Sequence, residues 1–479
     1  MDQLLKIVQT VNAYLSDYIL IILLVGVGVF FSVRTRFVQV RCFGEGLRRV
    51  FGHVSLRGGR QKGGLSSFQA LATAVAAQVG TGNIVGASGA ILVGGPGAIF
   101  WMWLIAFFGM ATIYAEATLA QKTRFVDADG NVHGGPVYYI KTAFKGRFGT
   151  FLAGFFAVAI TLALGFMGSM VQSNSIAESC RTAFHIPTWV VGLVVAAVSA
   201  FVFLGGVHRV ASVTEKMVPV MAVVFLAGGL VVLAFRVRYI PETFGMIFRY
   251  AFTPHALIGG GLGAAIKTAV SQGVKRGLFS NEAGMGSTPH AHAMAKVDRP
   301  HDQGVVAMIG VFIDTFVVLT MTALVVISTL FTEGGLLAGK YGDAYRAATA
   351  GAEAVISKTN AMQQATSTVF GSFGNVFVAV CLLFFAFSTI LSWNFFGRLN
   401  VQYMFKHSRI AVAVYSAVAV GFIFLGSLLQ NDLVWELTDF FNYLMVLPNV
   451  VALVALYKLV PVVKRSKKDP VPAEPADNA

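Results

Sequence analysis

No charged residue occurs between Gly63 and Ala115, and this uncharged stretch constrains the fold more than any other feature of the chain. A helix needs about 20 residues to cross the roughly 30 Å hydrocarbon core of a bilayer, so the stretch is long enough for two spans. The rest of the chain is similar, with 56% hydrophobic residues, 12% charged residues and a mean hydropathy of +0.72. A water-soluble globular protein does not have this composition. The sequence therefore predicts an all-α, polytopic membrane protein.

Apolar runs of sufficient length predict eleven transmembrane helices. Their expected bounds are Tyr14–Val33, Ser66–Val93, Gly97–Gln121, Gly149–Asn174, Thr188–Gly205, Lys216–Phe235, Leu257–Ala293, Gly304–Leu330, Thr366–Phe396, Ile410–Leu428 and Leu437–Lys458. The first run lacks a basic start and a small-residue cleavage site, so it is interpreted as a retained span and not as a signal peptide. Two surface helices are also expected, over Thr243–His255 and Tyr345–Lys358.

The net charge of +14 is explained by membrane orientation and not by nucleic-acid binding, because the cations form short clusters beside apolar runs. The first loop carries one acid, Glu45, against eight cations: Arg34, Arg36, Arg41, Arg48, Arg49, Arg57, Arg60 and Lys62. The positive-inside rule places this loop in the cytoplasm and the N-terminus outside. The tail also carries Lys464, Arg465, Lys467 and Lys468, which predict a cytoplasmic C-terminus ahead of a disordered Pro/Ala-rich end.

Cysteine usage gives no sign of a site. The three cysteines, Cys42, Cys180 and Cys381, lack the paired spacing of a disulfide framework or a metal centre.

Ten spans follow the first one, and they divide into two groups of five at the connection between Phe235 and Leu257. Because five is odd, the second group must enter the membrane from the opposite side, which is the geometry of inverted-repeat transporters. The predicted units are the leading helix and basic loop (1–65), the first repeat (66–235), an extracellular connection (236–256), the second repeat (257–460) and the tail (461–479).

Both predicted repeats begin with a span that is interrupted by glycines and polar residues. The interruptions read AAQVGTGNIVG (Ala76–Gly86) and RGLFSNEAGMGS (Arg276–Ser287). A broken helix frees carbonyl groups at one stub and N–H groups at the other, and these are tolerated at membrane depth only where they line a cavity. The carbonyls suit a cation or an ammonium group, and the N–H groups suit a carboxylate. Corresponding interruptions in two halves therefore predict a midplane site for a small zwitterion and a cation.

Helix packing alone is the simpler explanation for glycines such as Gly82, Gly86, Gly89 and Gly94. It does not explain the polar side chains at the same depth, which are Gln78, Thr81, Asn83, Asn281 and Glu282.

Other polar residues in the spans have several possible roles. Gln172 and Asn174 either reach the cavity or mark the water boundary. The carboxylates of Glu116 and Asp314 each need a partner or a cation. For Glu116 a loop arginine is the expected partner, and Lys275 or Arg276 could neutralise Glu282.

The ninth span offers Ser388, Thr389 and Ser392, whose hydroxyl groups either bond back to their own helix or help to bind Na⁺. His290 and His292 lie two residues apart, which makes a shared metal ion improbable on a helix.

Several segments resemble the alanine or glycine:cation symporter family, also called the sodium:alanine symporters. The segment GGPGAIFWMWLIAFFG (Gly94–Gly109) is similar to the family signature. Further similar segments are QVGTGNIVG, GGPVYYI, MVQSNSIA and GVKRGLFSNEAGMGS. Together they run from about Gln69 to Arg398. A departure follows Trp393, where the chain reads WNFFGRLN and the family often has tyrosines and a glutamate.

The resemblance implies the leucine-transporter fold with one additional leading helix, and it implies particular site residues. Sodium would be bound by the carbonyls of Ala76 and Val79 together with Ser388 or Thr389. The substrate would be held by the following residues: Gln78, Gly80, Thr81, Gly82, Asn83, Gln172, Phe279, Ser280, Asn281 and Glu282.

We therefore expect a secondary-active symporter of the cytoplasmic membrane that imports a small neutral amino acid, alanine or glycine, with Na⁺ by alternating access. The bilayer and the amino acid are its expected partners, without nucleic acid or an obligate protein partner. A proton-coupled transporter is the main alternative. A channel would need a continuous polar pore, and a membrane-embedded enzyme would need a nucleophile or a metal set that the sequence does not offer.

Overall fold

The computed structural model describes residues 2–52, 65–128, 132–259, 261–349, 355–429 and 431–462, and these residues are almost entirely helical. A two-stranded antiparallel hairpin of β1 (Phe125–Val126) and β2 (Val132–His133) is the exception. The helices are α1 (Asp2–Tyr14), α2 (Ile21–Arg34), α3 (Val38–Arg41), α4 (Phe43–Phe51), α5 (Ser67–Gln78), α6 (Ala87–Gly94), α7 (Ala98–Thr123), α8 (Pro136–Ala143), α9 (Gly146–Ile160), α10 (Ser169–Phe184), α11 (Thr188–Leu204), α12 (Gly206–Phe235), α13 (Ile240–Phe252), α14 (His255–Ile258), α15 (Leu262–Asn281), α16 (Pro289–Met294), α17 (Pro300–Val311), α18 (Thr320–Leu330), α19 (Gly342–Thr349), α20 (Ala361–Phe370), α21 (Phe373–Met404), α22 (Arg409–Gly426) and α23 (Asn431–Ala455).

Several of these helices are joined into longer rods by short segments of wider, π-helical backbone. These segments are Leu15–Leu20, Gly82–Gly86, Thr161–Gly168 and Phe312–Leu319. Two single 3₁₀ turns, Val237–Tyr239 and Tyr457–Leu459, complete the helical structure. π-Helical turns occur often at functional sites. The segment Gly82–Gly86 is part of the first break, and the segment Phe312–Leu319 contains Asp314.

Eight helical rods of the described residues are long and apolar enough to cross a membrane. They are Leu5–Arg34, Ala98–Thr123, Gly146–Phe184, Gly206–Phe235, Pro300–Leu330, Phe373–Met404, Arg409–Gly426 and Asp432–Ala455. The pair Ser67–Gln78 and Gly82–Gly94, bent by 44°, makes nine if it is counted as one broken span.

The two other predicted spans are weaker by length or composition. The apolar helix α11 has 17 residues, somewhat fewer than a straight crossing needs. The helix α15 has 20 residues, but they include Lys267, Lys275 and Arg276. A multi-pass helical protein is therefore confirmed, whereas the number eleven and the inverted repeat stay predictions.

Some boundaries differ from those expected from hydropathy. The predicted ninth span, Thr366–Phe396, covers parts of two helices, because the chain turns between α20 and α21 at Gly371 with φ +58°. The helix α21 then continues to Met404. The surface helix predicted over Tyr345–Lys358 is α19, which ends at Thr349, and residues 350–354 lie outside the described residues.

Parts of the two basic segments also lie outside the described residues. They include Arg57, Arg60 and Lys62 of the first loop, and the tail from residue 463 onwards. The described part of the first loop forms α3 and α4, which follow the first span directly. The helix α4 packs on α17, where Gly46 lies against Ile309 and the carbonyl of Val305.

The predicted surface helix Thr243–His255 is α13 (Ile240–Phe252), and it closes one end of α7. Its aromatic face meets that helix edge to face, with Phe100 and Trp101 both packed against Phe252. The backbones meet at Gly97, where a Cβ atom would lie 2.1 Å from the nitrogen of Ala251 and 2.1 Å from the carbonyl carbon of Tyr250. Glycine at this position is therefore a packing requirement.

We expect Gly97→Ala to lower the thermal denaturation midpoint of the detergent-solubilised protein, because α7 and α13 would have to separate. Overpacking of this kind typically costs about 1–3 kcal/mol. The control is Gly154→Ala in α9, where an added Cβ meets no heavy atom within 4 Å. Equal midpoints for the two variants would show that this contact does not limit stability.

Candidate functional site

The first break is a local failure of the α-helical hydrogen-bond ladder. The last regular bond of α5 runs from the Val79 amide to the carbonyl of Val75, at 2.7 Å. The next amide, that of Gly80, instead donates to the side-chain oxygen of Asn83 at 3.0 Å. The carbonyl of Ala76 consequently lacks its usual partner inside the helix.

Thr389 of α21 faces the carbonyls of this break. Its fully buried hydroxyl lies 2.8 Å from the carbonyl oxygen of Ala76 and 3.4 Å from that of Val79, and 3.0 Å from the carbonyl of Phe385 one turn earlier in α21. A hydroxyl has a single proton to donate. The carbonyls of Ala76 and Val79 therefore compete for one donor, and the group has an excess of oxygen lone pairs of the kind that bind a hard cation.

The two other hydroxyls expected in the ninth span behave differently. Ser388 donates to the carbonyl of Phe385, on its own helix α21, at 2.9 Å, and its hydroxyl lies 3.5 Å from the sulfur of Met221 on α12. The buried hydroxyl of Ser392 has no hydrogen-bond partner among the described residues. Of the three, it is Thr389 that contacts the carbonyls of Ala76 and Val79.

Gln172 reaches the first break from α10. Its side-chain oxygen accepts a hydrogen bond from the amide of Thr81 at 3.1 Å. Asn174 lies two residues further and bonds elsewhere, to the carbonyls of Gly426 and Leu429. Gln172 therefore contacts the first break and Asn174 does not do so through these bonds, a difference that the sequence could not predict.

The second break begins where α15 ends at Asn281. Glu282 takes the left-handed conformation with φ +57°, and Gly284 and Gly286 follow with φ of +91° and +79°. Asn281 steadies the turn, because its side-chain oxygen accepts from the amide of Ala283 at 3.0 Å. A non-glycine residue with positive φ, such as Glu282, is uncommon and is found most often at strained or functional positions.

The two breaks touch each other. A Cβ atom on Gly82 would lie 3.1 Å from the ring of Phe279 and 3.1 Å from the Cα of Ser280, so the glycine allows the backbones to approach. In addition, the amide nitrogen of the Gln78 side chain donates to the carbonyl of Asn281 at 2.7 Å. The interruptions, about 200 positions apart in the chain, thus form one region.

Asp314 joins the two breaks through its carboxylate. It accepts from the amide of Asn83 at 2.6 Å, from the hydroxyl of Ser280 at 2.9 Å and from that of Thr315 at 2.7 Å. The sequence marked Asp314 only as a buried carboxylate in need of a partner. Its neighbours on both breaks could not be known before the fold.

Glu282 lies in the second break, and Glu116 of α7 lies beside it. Glu116 accepts from the amides of Gly284 at 3.1 Å and Gly286 at 3.0 Å, and from the side chain of Asn449 at 2.6 Å. The expectation that Glu116 pairs with a loop arginine is therefore wrong for the described residues. The sequence marked Glu116 as a candidate because it is a carboxylate within a predicted span. Nothing in the sequence marked Asn449 as its partner.

The carboxylate of Glu282, which lies in the second break itself, is held by hydrogen bonds. The hydroxyl of Ser287 and the indole of Trp393, the latter at 2.5 Å, donate to its carboxylate. Arg276 instead forms an ion pair with Asp439 at 2.6 Å.

An aromatic group covers the second break. The ring of Phe279 packs against Trp435, with centroids 4.8 Å apart, and against the edge of Trp393 at 5.8 Å. The guanidinium of Arg276 lies 4.7 Å from the centre of the Trp435 ring. An ion pair and three large rings therefore close one side of the region.

Three buried polar atoms at the first break have no hydrogen-bond partner among the described residues. They are the side-chain oxygen of Gln78, the hydroxyl of Thr81 and the side-chain nitrogen of Gln172. Buried polar atoms are nearly always paired, and exceptions often mark a ligand or water position. Together they can offer both donors and acceptors to a small charged molecule.

His290 and His292 point to different partners. His290 is stacked beside Phe156 and Phe396 and contacts Asn400 at 2.9 Å, whereas His292 contacts Gln303 at 2.8 Å. The two imidazoles therefore have separate contacts, and the absence of a shared ion stays a prediction.

Comparisons with known proteins identify relatives over nearly the whole chain. The model of the sodium:alanine symporter family matches residues 1–469. The sodium/alanine symporter AgcS of Methanococcus maripaludis is 39% identical over 454 residues, which cover 94% of each chain. The probable sodium/glutamine symporter GlnT of Bacillus subtilis is 37% identical, over 98% of this chain and 94% of the relative.

Among solved structures, the crystal structure of MhsT in complex with L-phenylalanine matches with a TM-score of 0.56 and 15% identity, over 83% of this chain and 90% of MhsT. This likeness establishes the leucine-transporter fold. The family and the structural neighbours are transporters and not enzymes. The resemblance found in the sequence motifs is confirmed, and the chain belongs to the sodium:alanine symporter family.

Proposed function

We propose that the protein imports a small neutral amino acid, alanine or glycine, together with Na⁺. The observation that carries this proposal is the position of the Thr389 hydroxyl among the carbonyls of Ala76, Val79 and Phe385. Thr389 belongs to the predicted second repeat, whereas Ala76 and Val79 belong to the first. A cation bound here would draw its oxygen ligands from both.

The amino acid would lie beside this cation, in the space between the Gly80–Asn83 turn and the Phe279–Glu282 turn. The unpaired atoms of Gln78, Thr81 and Gln172 support that position, because a zwitterion needs both donors and acceptors in a buried site. The hydrogen bonds of Gly80 and Thr81 to Asn83 and Gln172 would be exchanged for bonds to the substrate carboxylate.

The membrane arrangement completes the proposal. Eleven spans, formed by a leading helix and two inverted sets of five, place both breaks near the midplane. The N-terminus would be outside and the basic first loop in the cytoplasm. Exchange between outward-open and inward-open states would then carry the substrate inwards across the cytoplasmic membrane.

The experiment that tests the function is uptake of radiolabelled alanine into proteoliposomes. With an inward Na⁺ gradient we expect saturable, concentrative uptake that stops when choline replaces Na⁺ at constant pH. Uptake that persists in choline but follows a proton gradient would support the proton-coupled alternative. Ohmic conductance without saturation would indicate a channel.

Size selection should follow from the close contacts at the glycines. Unlabelled alanine and glycine are expected to compete for uptake, whereas leucine and phenylalanine compete at least about tenfold less well. Overfilling a packed cavity costs about 1–3 kcal/mol, and about 1.4 kcal/mol is a factor of ten in affinity. Glutamine belongs in the same competition assay because one relative is named a probable glutamine symporter. A preference for glutamine over alanine would contradict the proposed substrate.

Gly80→Ala should abolish uptake although the protein still inserts in the membrane. A Cβ atom there would lie 2.4 Å from the hydroxyl of Thr389 and 3.1 Å from the side-chain oxygen of Gln172. Uptake and the amount of folded protein, by size-exclusion chromatography, are measured together. Gly421→Ala is the control, since its Cβ meets nothing within 4 Å. Normal uptake by Gly80→Ala would mean that this glycine is not part of the site.

Thr389→Val keeps the shape of the side chain and removes its oxygen. We expect the Na⁺ concentration for half-maximal uptake to rise at least about tenfold, because about 1.4 kcal/mol is sufficient and hydrogen bonds to charged groups are worth about 1.5–3 kcal/mol. Substrate exchange at saturating Na⁺ should change less than accumulation. Ser388→Ala is the matched control. The reverse pattern would move the ligand by one residue, and no effect in either variant would remove α21 from the ion site.

A further inference from the structure

A second group of ligand-type side chains lies outside the two breaks, where the first loop meets α17. Its members are Cys42, which precedes α4, Glu45 in the first turn of α4, and His301 near the start of α17. The cysteine sulfur, a carboxylate oxygen and an imidazole nitrogen of this group all lie within 4.8 Å of one another. Cysteine spacing in the sequence gave no sign of it, because the third ligand is more than 250 positions away.

The three ligand types are those that zinc binds best in proteins: a thiolate, an imidazole and a carboxylate. In a tetrahedral zinc shell these atoms lie roughly 3.3–3.8 Å apart, as follows from metal–ligand distances of about 2.0–2.3 Å. The three atoms therefore need to close by about an ångström. The Glu45 side chain is 26% exposed, so it can rotate and bring its carboxylate closer to the other two ligand atoms.

The imidazole is already oriented for this role. Its Nε2 atom points to the carboxylate of Glu45 at 3.3 Å, and its Nδ1 atom bonds to the hydroxyl of Tyr114 at 2.8 Å. Metal-binding histidines are usually fixed in this way, with one nitrogen free for the metal and the other bonded to a neighbour. Tyr114 is buried in α7, so the anchor is rigid.

Access and charge also suit a small cation. Cys42 is 6% exposed and His301 is 9% exposed, whereas Glu45 opens the group to the surface. Asp302 is the neighbour of His301 in the chain. The guanidinium of Arg49 forms two salt bridges, one with Asp302 at 2.9 Å and one with Glu45 at 3.0 Å. A metal that binds Glu45 would take one carboxylate oxygen and leave Arg49 its pairing with Asp302.

We propose that Cys42, Glu45 and His301 form a zinc site with three protein ligands and a fourth position for water. Binding releases the thiol proton of Cys42 to solvent, since the thiolate is the ligand. The ion would link the loop helix α4 to α17, in addition to the salt bridge of Arg49 with Asp302.

Zinc affinity of the purified full-length protein, measured by competition with a chromophoric chelator, tests this site. We expect one bound equivalent in the wild type and at least about tenfold weaker binding in Cys42→Ser and in His301→Gln, because even second-sphere substitutions cost 10- to 100-fold. The matched controls are Cys180→Ser, a buried cysteine elsewhere, and His407→Gln, from the exposed contact of His407 with His133.

Cobalt gives a second readout that does not depend on affinity. Co²⁺ bound by the wild type should show a thiolate-to-cobalt charge-transfer band, and the band should disappear in Cys42→Ser but remain in Cys180→Ser. Size-exclusion profiles and denaturation midpoints without metal establish that each variant is folded.

Three outcomes would overturn the proposal. The first is that the wild type binds no equivalent of zinc tightly. The second is that folded Cys42→Ser has the same zinc affinity as the wild type. The third is that His407→Gln loses zinc binding while His301→Gln retains it. The last result would place the metal at the exposed histidine pair.

Discussion

The interrupted hydrogen-bond ladder after Val79 is the constraint on which the site depends. A backbone group that loses its helical partner at membrane depth must find another, because hydrocarbon offers none. Three of the freed groups are bonded to side chains: the Gly80 amide to Asn83, the Thr81 amide to Gln172 and the Ala76 carbonyl to Thr389. The break therefore requires polar side chains around it: Asn83 comes from the break itself, Gln172 from α10 and Thr389 from α21.

Three buried carboxylates stabilise this arrangement by accepting hydrogen bonds from uncharged donors. Asp314 accepts from groups on both breaks, Glu116 from two backbone amides of the second, and Glu282 from Ser287 and Trp393. Hydrogen bonds to a charged acceptor are stronger than those to a neutral one. The carboxylates can thus hold non-helical backbone in place where a hydrophobic side chain would leave its amides unpaired.

Sequence patterns were sufficient to predict features encoded in short segments of the chain. They were insufficient to predict which side chains contact each other across the fold. Glycines and amides within apolar runs predicted the two breaks, and motifs predicted the family and the fold that the comparisons confirm. Helical periodicity could not decide between Ser388 and Thr389, because neighbouring positions point about 100° apart and the facing side of α21 depends on packing. The ion pair of Arg276 with Asp439 and the contact of Asn449 with Glu116 span 163 and 333 positions, respectively, and no local pattern encodes such contacts.

The position of Thr389 suggests how an ion could influence the conformation of the protein. A ligand shifts an equilibrium only as far as its affinity differs between the two states. Thr389 lies on α21, whereas Ala76 and Val79 lie at the end of α5, so the oxygen group is complete only while these two helices are in contact. A cation bound by all of these oxygens would favour the contact between α5 and α21. Dissociation of the cation would allow the two helices to separate. The Thr389 hydroxyl also lies against Gly80, where an added Cβ atom would be 2.4 Å from it, so the proposed ion position adjoins the proposed substrate position.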